Sequence, residues 1–195
     1  MFSNAFRFAA LLALCFLAGP AFAHPGHAVS GVLDGLLHPL TGLDHLLAIV
    51  ALGWWSATTQ ARRWWLVPLA FAISMLAGAL LGIGRGPLPY QEAAIALSVV
   101  VLGGLMLMRA KLPLGAAVAL AVVLALAHGY AHGSELPAGH AAPWLAGMVA
   151  MTLALHLAGA SIGRLSTRRA RWATPAAGVL GLVAGIVLLA GSFGA

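Results

Sequence analysis

Charged side chains are scarce in this sequence: Lys, Arg, Asp and Glu together make up 7% of its 195 residues, whereas 62% are hydrophobic. A soluble domain carries about 25% charged residues. The composition therefore excludes a soluble enzyme, a disordered chain and a nucleic-acid-binding domain. The formal net charge of +6 comes from only ten basic residues against four acidic ones. With so few charges, their positions along the chain carry more meaning than their sum.

Cysteine is almost absent as well, because Cys15 is the single thiol and no disulfide can form within the chain. Residues 1–23 have the features of a cleaved signal peptide: an early basic residue, an apolar stretch too short to span a membrane, and an Ala-Phe-Ala cleavage site at 21–23. A first transmembrane helix is the alternative for this segment. Cleavage would leave a mature chain, 24–195, whose metal ligands must be His, Asp, Glu, Met or backbone groups.

Long hydrophobic runs, in contrast, are abundant. Six of them are long enough to be candidates for crossing a bilayer, and backbone polar groups in lipid must be satisfied within each crossing segment, so each run predicts a helix. The fold class we expect is an all-α membrane protein, a bundle of six transmembrane helices that forms one domain over 24–195. The predicted spans are 40–57, 64–83, 93–108, 112–131, 143–162 and 173–192.

The charged residues predict how this bundle is oriented. Eight basic residues lie in the loops after the first, third and fifth runs, and only Arg85 lies in a loop on the opposite side. Basic loops stay cytoplasmic, so both ends of the mature chain are expected outside, in the inner membrane of a bacterium. The acidic residues then lie at or near the outer face, where they would attract cations. They are Asp34, Asp44, Glu92 and Glu135.

Ionisable side chains inside a span are costly and indicate function. The first run opens with His38, Asp44 and His45, and Pro39 suits the first position of a helix. A continuous helix would place His38 and His45, seven residues apart, on one face, with Asp44 deeper than His38. The alternative interpretation is a satisfied His–Asp pair that only helps the helices to pack.

A second group of polar residues ends the fourth run. His128, His132 and Glu135 follow helical spacing, and Glu92 begins the third run at the same predicted level. Imidazole and carboxylate ligands suit nickel, cobalt, zinc or copper. We therefore expect the two groups to converge on one metal site open to the outside. The structural alternatives are a capped helix end with a wet loop and, for Glu92, a solvated acid in a first helical turn.

Three other histidines are less specific. His156, in the fifth run, is either a lower station on an ion path or a core histidine bonded to a backbone carbonyl. His24 and His27 follow the predicted cleavage site and form at most a weak, flexible capture arm.

At these residues the chain resembles the HupE/UreJ family of nickel permeases, the hydrogenase/urease accessory membrane proteins. The resemblance rests on HPxxGxDH at 38–45, with Gly53 downstream, and on HGxxHGxE at 128–135. The family's intramembrane Glu and Phe correspond to Glu92 and Phe71. The resemblance implies Ni²⁺ uptake that supplies a nickel enzyme. The residues themselves support a divalent transition-metal ion, which leaves Co²⁺ open.

The expected function is therefore facilitated uptake of a metal ion, with no tightly bound cofactor and no enzyme activity. The sequence contains no G-x-x-x-x-G-K-[ST] phosphate loop, so the membrane potential is the expected driving force, with proton coupling as a variant. The expected partners are the metal ion, the lipid bilayer and a nickel enzyme's maturation system, but no nucleic acid; a homo-oligomer is left open. Two alternatives remain: an intramembrane zinc-dependent hydrolase with Asp44 or Glu135 as base, and a metal sensor or accessory protein without transport.

Overall fold

The computed structural model describes residues 31–136 and 141–193. The predicted signal peptide, Cys15, His24 and His27 lie outside the described residues. Over the two described ranges every regular element is a helix. In chain order they are α1 (Val32–Thr41), α2 (Leu43–Thr59), a short 3-10 turn (Ala61–Arg63), α3 (Leu66–Gly82), α4 (Gln91–Leu107), α5 (Leu114–Ser134), α6 (Ala141–Arg169) and α7 (Ala173–Gly191).

The bundle has the lengths and the surface of a membrane protein. Helices α5, α6 and α7 are each long and apolar enough to cross a bilayer, and α1 and α2 pass the same test together. Helices α3 and α4 are apolar but have 17 residues each, which is near the lower limit for a span. Large apolar side chains point away from the bundle, with Ile73 62%, Val123 64% and Val183 56% exposed. A surface with so many apolar side chains is stable in contact with lipid but not in contact with water.

The first predicted span is not one straight helix, so that prediction is wrong. Helix α1 ends at Thr41, α2 begins at Leu43, and the two are bent by 87°. Gly42 between them has an extended backbone, with φ −94° and ψ 115°. Pro39 lies inside α1 instead of at the first position of a helix. Its ring nitrogen cannot donate to the carbonyl of residue 35, which weakens the last turn and favours the end of α1 here.

The other five predicted spans each correspond to one helix. The largest difference is at α6, which continues to Arg169 through residues predicted to form a loop. A helix satisfies its own backbone hydrogen bonds on either side of the membrane surface, so basic residues after a span do not have to end it. The apolar run therefore predicts which part of a helix is buried but not the residue at which the helix ends.

Two glycines allow helices to approach closely near the polar residues. A Cβ at Gly53 of α2 would lie 2.2 Å from the carbonyl oxygen of His156 in α6, and one at Gly129 of α5 would lie 1.9 Å from that of Met75 in α3. Neither distance is sterically allowed, so any larger residue would push the helices apart. Small residues at such contacts are the usual means of packing helices in membranes.

Three basic segments of the chain meet at one end of the bundle: those that follow α2 and α4 and the one that includes the end of α6. The Arg164 guanidinium lies 4.5 Å from the ring centroid of Trp64, and Arg109 donates to the carbonyl of Arg171. At the same end the Trp55 indole donates to the carbonyl of Ala110 at 2.9 Å. The ends of α2, α4 and α6 are therefore gathered at a single basic face of the bundle.

Candidate metal-binding site

Three side chains that could bind a metal ion meet at the opposite end of the bundle. His38 of α1, His132 of α5 and Glu135, which follows α5, each offer a ligand atom, and these atoms lie within 4.8 Å of one another. His38 Nε2 is 2.8 Å from His132 Nδ1 and 3.5 Å from Glu135 Oε2. We call His38, His132 and Glu135 the ligand triad. Helix α1 packs against α6 and α5 packs against α3, and this arrangement brings together residues 94 positions apart in the chain.

The exposure of the triad changes from one member to the next. The Glu135 side chain is 54% exposed and that of His38 is 27% exposed, while His132 is buried at 2%. An ion from solution can therefore meet the carboxylate first and reach the buried imidazole through His38. Partial burial raises the pKa of the Glu135 carboxyl, and the nearby Glu92 charge raises it further, with the His45 imidazole opposing the shift.

His45 extends the triad into the bundle. Its ring centroid lies 4.4 Å from that of His132 and 5.0 Å from that of His128. Its Nδ1 is 2.9 Å from Asp44 Oδ1, and the same oxygen accepts the backbone N–H of His45 at 2.8 Å. A carboxylate can only accept, so Nδ1 carries a proton, and in the neutral ring Nε2 then has a lone pair. That Nε2 is buried and has no hydrogen-bond partner among the described residues.

The bend at Gly42 determines how His38 and His45 approach His132. The prediction that His38 and His45 share one face of one helix is wrong, because they lie on different helices. Both nevertheless contact the same partner: the His132 ring centroid is 4.6 Å from that of His38 and 4.4 Å from that of His45. The turn of the chain therefore places two imidazoles around a third, which a straight helix with a rise of about 1.5 Å per residue would not do.

Two more histidines lie deeper. His128 Nδ1 is 2.9 Å from the Leu124 carbonyl, and His156 Nδ1 is 2.7 Å from the Thr152 carbonyl. The bond of His156 is the one that the core interpretation of this residue expects. The Phe71 ring contacts both imidazoles, with centroid distances of 5.6 Å to His128 and 5.2 Å to His156. Through Phe71, His156 is therefore linked by direct ring contacts to His128.

Glu92 is the one predicted carboxylate of the described residues that the structure leaves outside this arrangement. It is exposed in the first turn of α4, where the Gln91 amide donates to its Oε1 at 3.4 Å. It is close enough to influence Glu135 electrostatically but contributes no atom to the ligand triad. The position is that of the solvated first-turn acid that we considered as the alternative.

Trp144 is a residue of the site that the sequence analysis missed. It is 1% exposed, and its ring centroid lies 4.8 Å from that of His38 and 6.0 Å from that of His132. Its indole therefore covers one side of the triad and limits contact with lipid. A single aromatic residue near the start of a span is common in membrane proteins, so the sequence carried no specific signal for this role.

Neutral imidazoles with one nitrogen held by a carboxylate or carbonyl are oriented as metal-binding histidines usually are. An ion at the triad would replace the His38–His132 hydrogen bond and the contact between His38 and Glu135. Imidazole and carboxylate together suit nickel, cobalt, zinc or copper. The arrangement can accept a divalent transition-metal ion from the exposed end and offer it further imidazole nitrogens deeper in the bundle.

Apolar membrane-crossing helices with buried imidazoles gathered at one end define this chain as an integral membrane protein with a candidate cation site. Residues 12–188 match the family model described as HupE / UreJ protein. The chain is 43% identical over 182 residues to Protein HupE of Rhizobium leguminosarum bv. viciae, and the alignment covers 93% of both chains. It therefore belongs to the HupE/UreJ family, which is associated with hydrogenase and urease accessory systems, and the resemblance seen in the sequence is confirmed. No solved structure matches the chain.

Proposed function

We propose that this chain is a permease of the bacterial inner membrane that takes up a divalent transition-metal ion, Ni²⁺ before Co²⁺, for the maturation of a hydrogenase or urease. The observation that carries the proposal is the ligand triad, whose three ligand atoms lie within 4.8 Å of one another. The family's association with hydrogenase and urease systems supports nickel as the ion. The exposure of Glu135 and His38 supports a role in capturing an ion from solution.

The proposal includes a topology of six spans. Helices α1 and α2 form one broken span, and α3 to α7 form one span each, after removal of residues 1–23 as a signal peptide. Broken helices in transporters are found where the chain lines a site, which fits the bend beside the triad. The basic face at one end of the bundle supports placing that end in the cytoplasm, and the ligand triad then opens to the outside.

The membrane potential supplies the driving force in this proposal. An ion of charge 2+ that moves to an inside-negative compartment gains about 4.6 kcal/mol per 100 mV, which is twice the value for one charge. That free energy supports a concentration ratio of about three orders of magnitude. Binding must stay weak enough for release on the far side. Beyond the triad the ion meets fewer ligands and no carboxylate at each position, which favours such release.

The geometry of Asp44 argues against this residue as the general base of an intramembrane hydrolase. A general base must be free to reach a water molecule or a substrate proton. Asp44 Oδ1 instead accepts two hydrogen bonds from His45, one from the ring and one from the backbone. This is the position of a residue that orients a metal ligand.

Reconstitution of the chain alone tests the proposal. Purified full-length protein in liposomes that contain a metal-sensitive dye should admit Ni²⁺ when the interior is negative, and the His132→Ala variant is the matched control. Influx no faster than in protein-free liposomes, from folded protein that still binds nickel, would contradict the permease and favour a sensor. Zinc that remains bound at one ion per chain through dialysis would favour the hydrolase.

A further inference from the structure

The imidazoles of this protein continue far below the ligand triad. His128 is four residues before His132 in α5, roughly 6 Å deeper at the rise of an α-helix. Trp144 lies beside the triad, and His156 follows it by twelve residues in the same continuous helix, about 18 Å further along the axis. That distance is more than half of a hydrocarbon core of about 30 Å. His156 therefore lies near the middle of the bundle.

Both deep imidazoles present a bare nitrogen. A carbonyl oxygen can only accept, so the bonds to Leu124 and Thr152 fix the proton on Nδ1 of His128 and His156. The Nε2 of each ring then carries a lone pair. Both Nε2 atoms are buried and have no partner anywhere in the described parts of the chain. A buried acceptor without a partner is costly to maintain, and packing alone does not require it.

The surroundings of His156 suit transient binding of a transition-metal ion. The Thr152 hydroxyl donates to Met75 Sδ at 3.7 Å, so a soft sulfur lies close to the turn that holds His156. The Phe71 ring contacts both His156 and His128. The carboxylates Asp44 and Glu135 lie at the triad end, so the deep ligands are neutral. Each deep position offers fewer ligand atoms than the triad and no carboxylate charge, which favours release of the ion.

We propose that His128 and His156 are successive binding positions for the transported ion below the triad, both in contact with the Phe71 ring. This inference rests on the proposed permease function and adds an inner binding position that the triad does not contain. The ion exchanges a triad ligand for His128 Nε2 and then passes the Phe71 ring to His156 Nε2. Each transfer is a ligand exchange at the metal, and no covalent bond of the protein changes.

The test uses two substitutions of His156 that separate metal binding from structural support. His156→Gln keeps a side-chain donor for the Thr152 carbonyl but offers a poor metal ligand. His156→Cys loses that hydrogen bond but offers a thiolate, which binds nickel and cobalt well. Leu157→Ala, at an exposed neighbour on the same helix, is the matched control and should transport like the unchanged chain.

We expect His156→Gln to reduce the maximal Ni²⁺ flux tenfold or more while the external concentration for half-maximal flux stays the same, because the triad is intact. His156→Cys should retain at least half of the flux. Co²⁺ added to the His156→Cys protein, with Cys15 replaced by Ser, should give a thiolate-to-cobalt charge-transfer band that the Leu157→Ala protein lacks. That band shows directly that the ion reaches position 156.

Two results would overturn the inner station. One is normal flux in His156→Gln together with lost flux in His156→Cys, because only a structural hydrogen bond predicts that order. The other is no charge-transfer band at cobalt concentrations that saturate the triad. Failure of the permease itself would appear differently, as absent flux in the unchanged chain, and the cobalt band would still decide whether the ion reaches His156.

Discussion

His38 Nε2 lies 2.8 Å from His132 Nδ1, and this contact joins α1 to α5 across 94 residues of chain. One of the two nitrogens must donate and the other accept, so at least one ring nitrogen in the pair is protonated. A metal ion that binds both rings has to displace that proton. The two residues therefore act as one unit, and their effects on binding should not be independent.

The first prediction follows from this unit. His38→Ala and His132→Ala should each weaken Ni²⁺ binding by at least tenfold, and the double variant should be little worse than either single one, because residues in one network are not additive. Titration calorimetry on the purified proteins measures this. A double variant whose loss equals the product of the single losses would show that the two histidines contribute independently and do not act as one unit.

Asp44→Asn is the second test. The substitution keeps the size of the side chain but replaces the carboxylate that orients His45. Loss of such an orienting partner typically costs about 10–100-fold in metal affinity. We expect that loss in Ni²⁺ binding with unchanged thermal stability and helical content. Wild-type affinity in a folded Asp44→Asn protein would mean that His45 takes no part in binding.

The third test is the substitution Gly42→Ala. A Cβ at Gly42 would lie 2.9 Å from His45 Nδ1 and 3.1 Å from Asp44 Oδ1. The Asp44–His45 pair would have to move by a few tenths of an ångström, so we expect metal binding to weaken by about 10-fold, as it does when a residue that orients a metal ligand is changed. Gly104→Ala is the control, because nothing lies within 4 Å of its added Cβ. Equal behaviour of the two variants would contradict the assigned role of the Asp44–His45 pair.

The composition of the site was predictable from the sequence, since ionisable residues are rare in apolar runs and each is conspicuous there. Helical spacing and the predicted orientation grouped His38, His132 and Glu135, but they placed Glu92 in the same group, and the structure leaves it outside the triad. The route by which His38 and His45 meet could not be predicted, because helical spacing assumes a continuous helix. Pro39 and Gly42 signal a weak point, but the direction of the 87° turn depends on how α1 packs against α6.

The deep part of the site was harder to predict for another reason. His156 looks the same in the sequence whether it supports packing or binds an ion. The difference lies in the state of its Nε2, which depends on the Thr152 bond on the same helix and on the Phe71 ring from another helix. Periodicity places a residue on a face but says nothing about which nitrogen is left without a partner.

The orientation of the bundle gives the fourth prediction. In a background of Cys15→Ser, a cysteine introduced as Ala138→Cys should react with a membrane-impermeant maleimide added to intact spheroplasts, because the residues between α5 and α6 are proposed to lie outside. Lys111→Cys, in a basic loop at the other end, should react only after the membrane is permeabilised. The reverse pattern would place the ligand triad in the cytoplasm and contradict uptake from outside.

The fifth prediction concerns the driving force. In liposomes with equal pH on both sides, initial Ni²⁺ influx should rise as the interior is made more negative with a potassium gradient and valinomycin. The reason is that two charges move through the field, worth about 2.3 kcal/mol per charge per 100 mV. At zero potential, influx should follow the metal gradient alone, and the His132→Ala protein gives the background at each voltage. A pH gradient, acidic outside, should add nothing to a uniporter beyond the competition of protons for the imidazoles. Influx that appears only with the acidic outside compartment and ignores the potential would reject the uniporter in favour of proton symport, because the ion would then draw its free energy from protons that move with it.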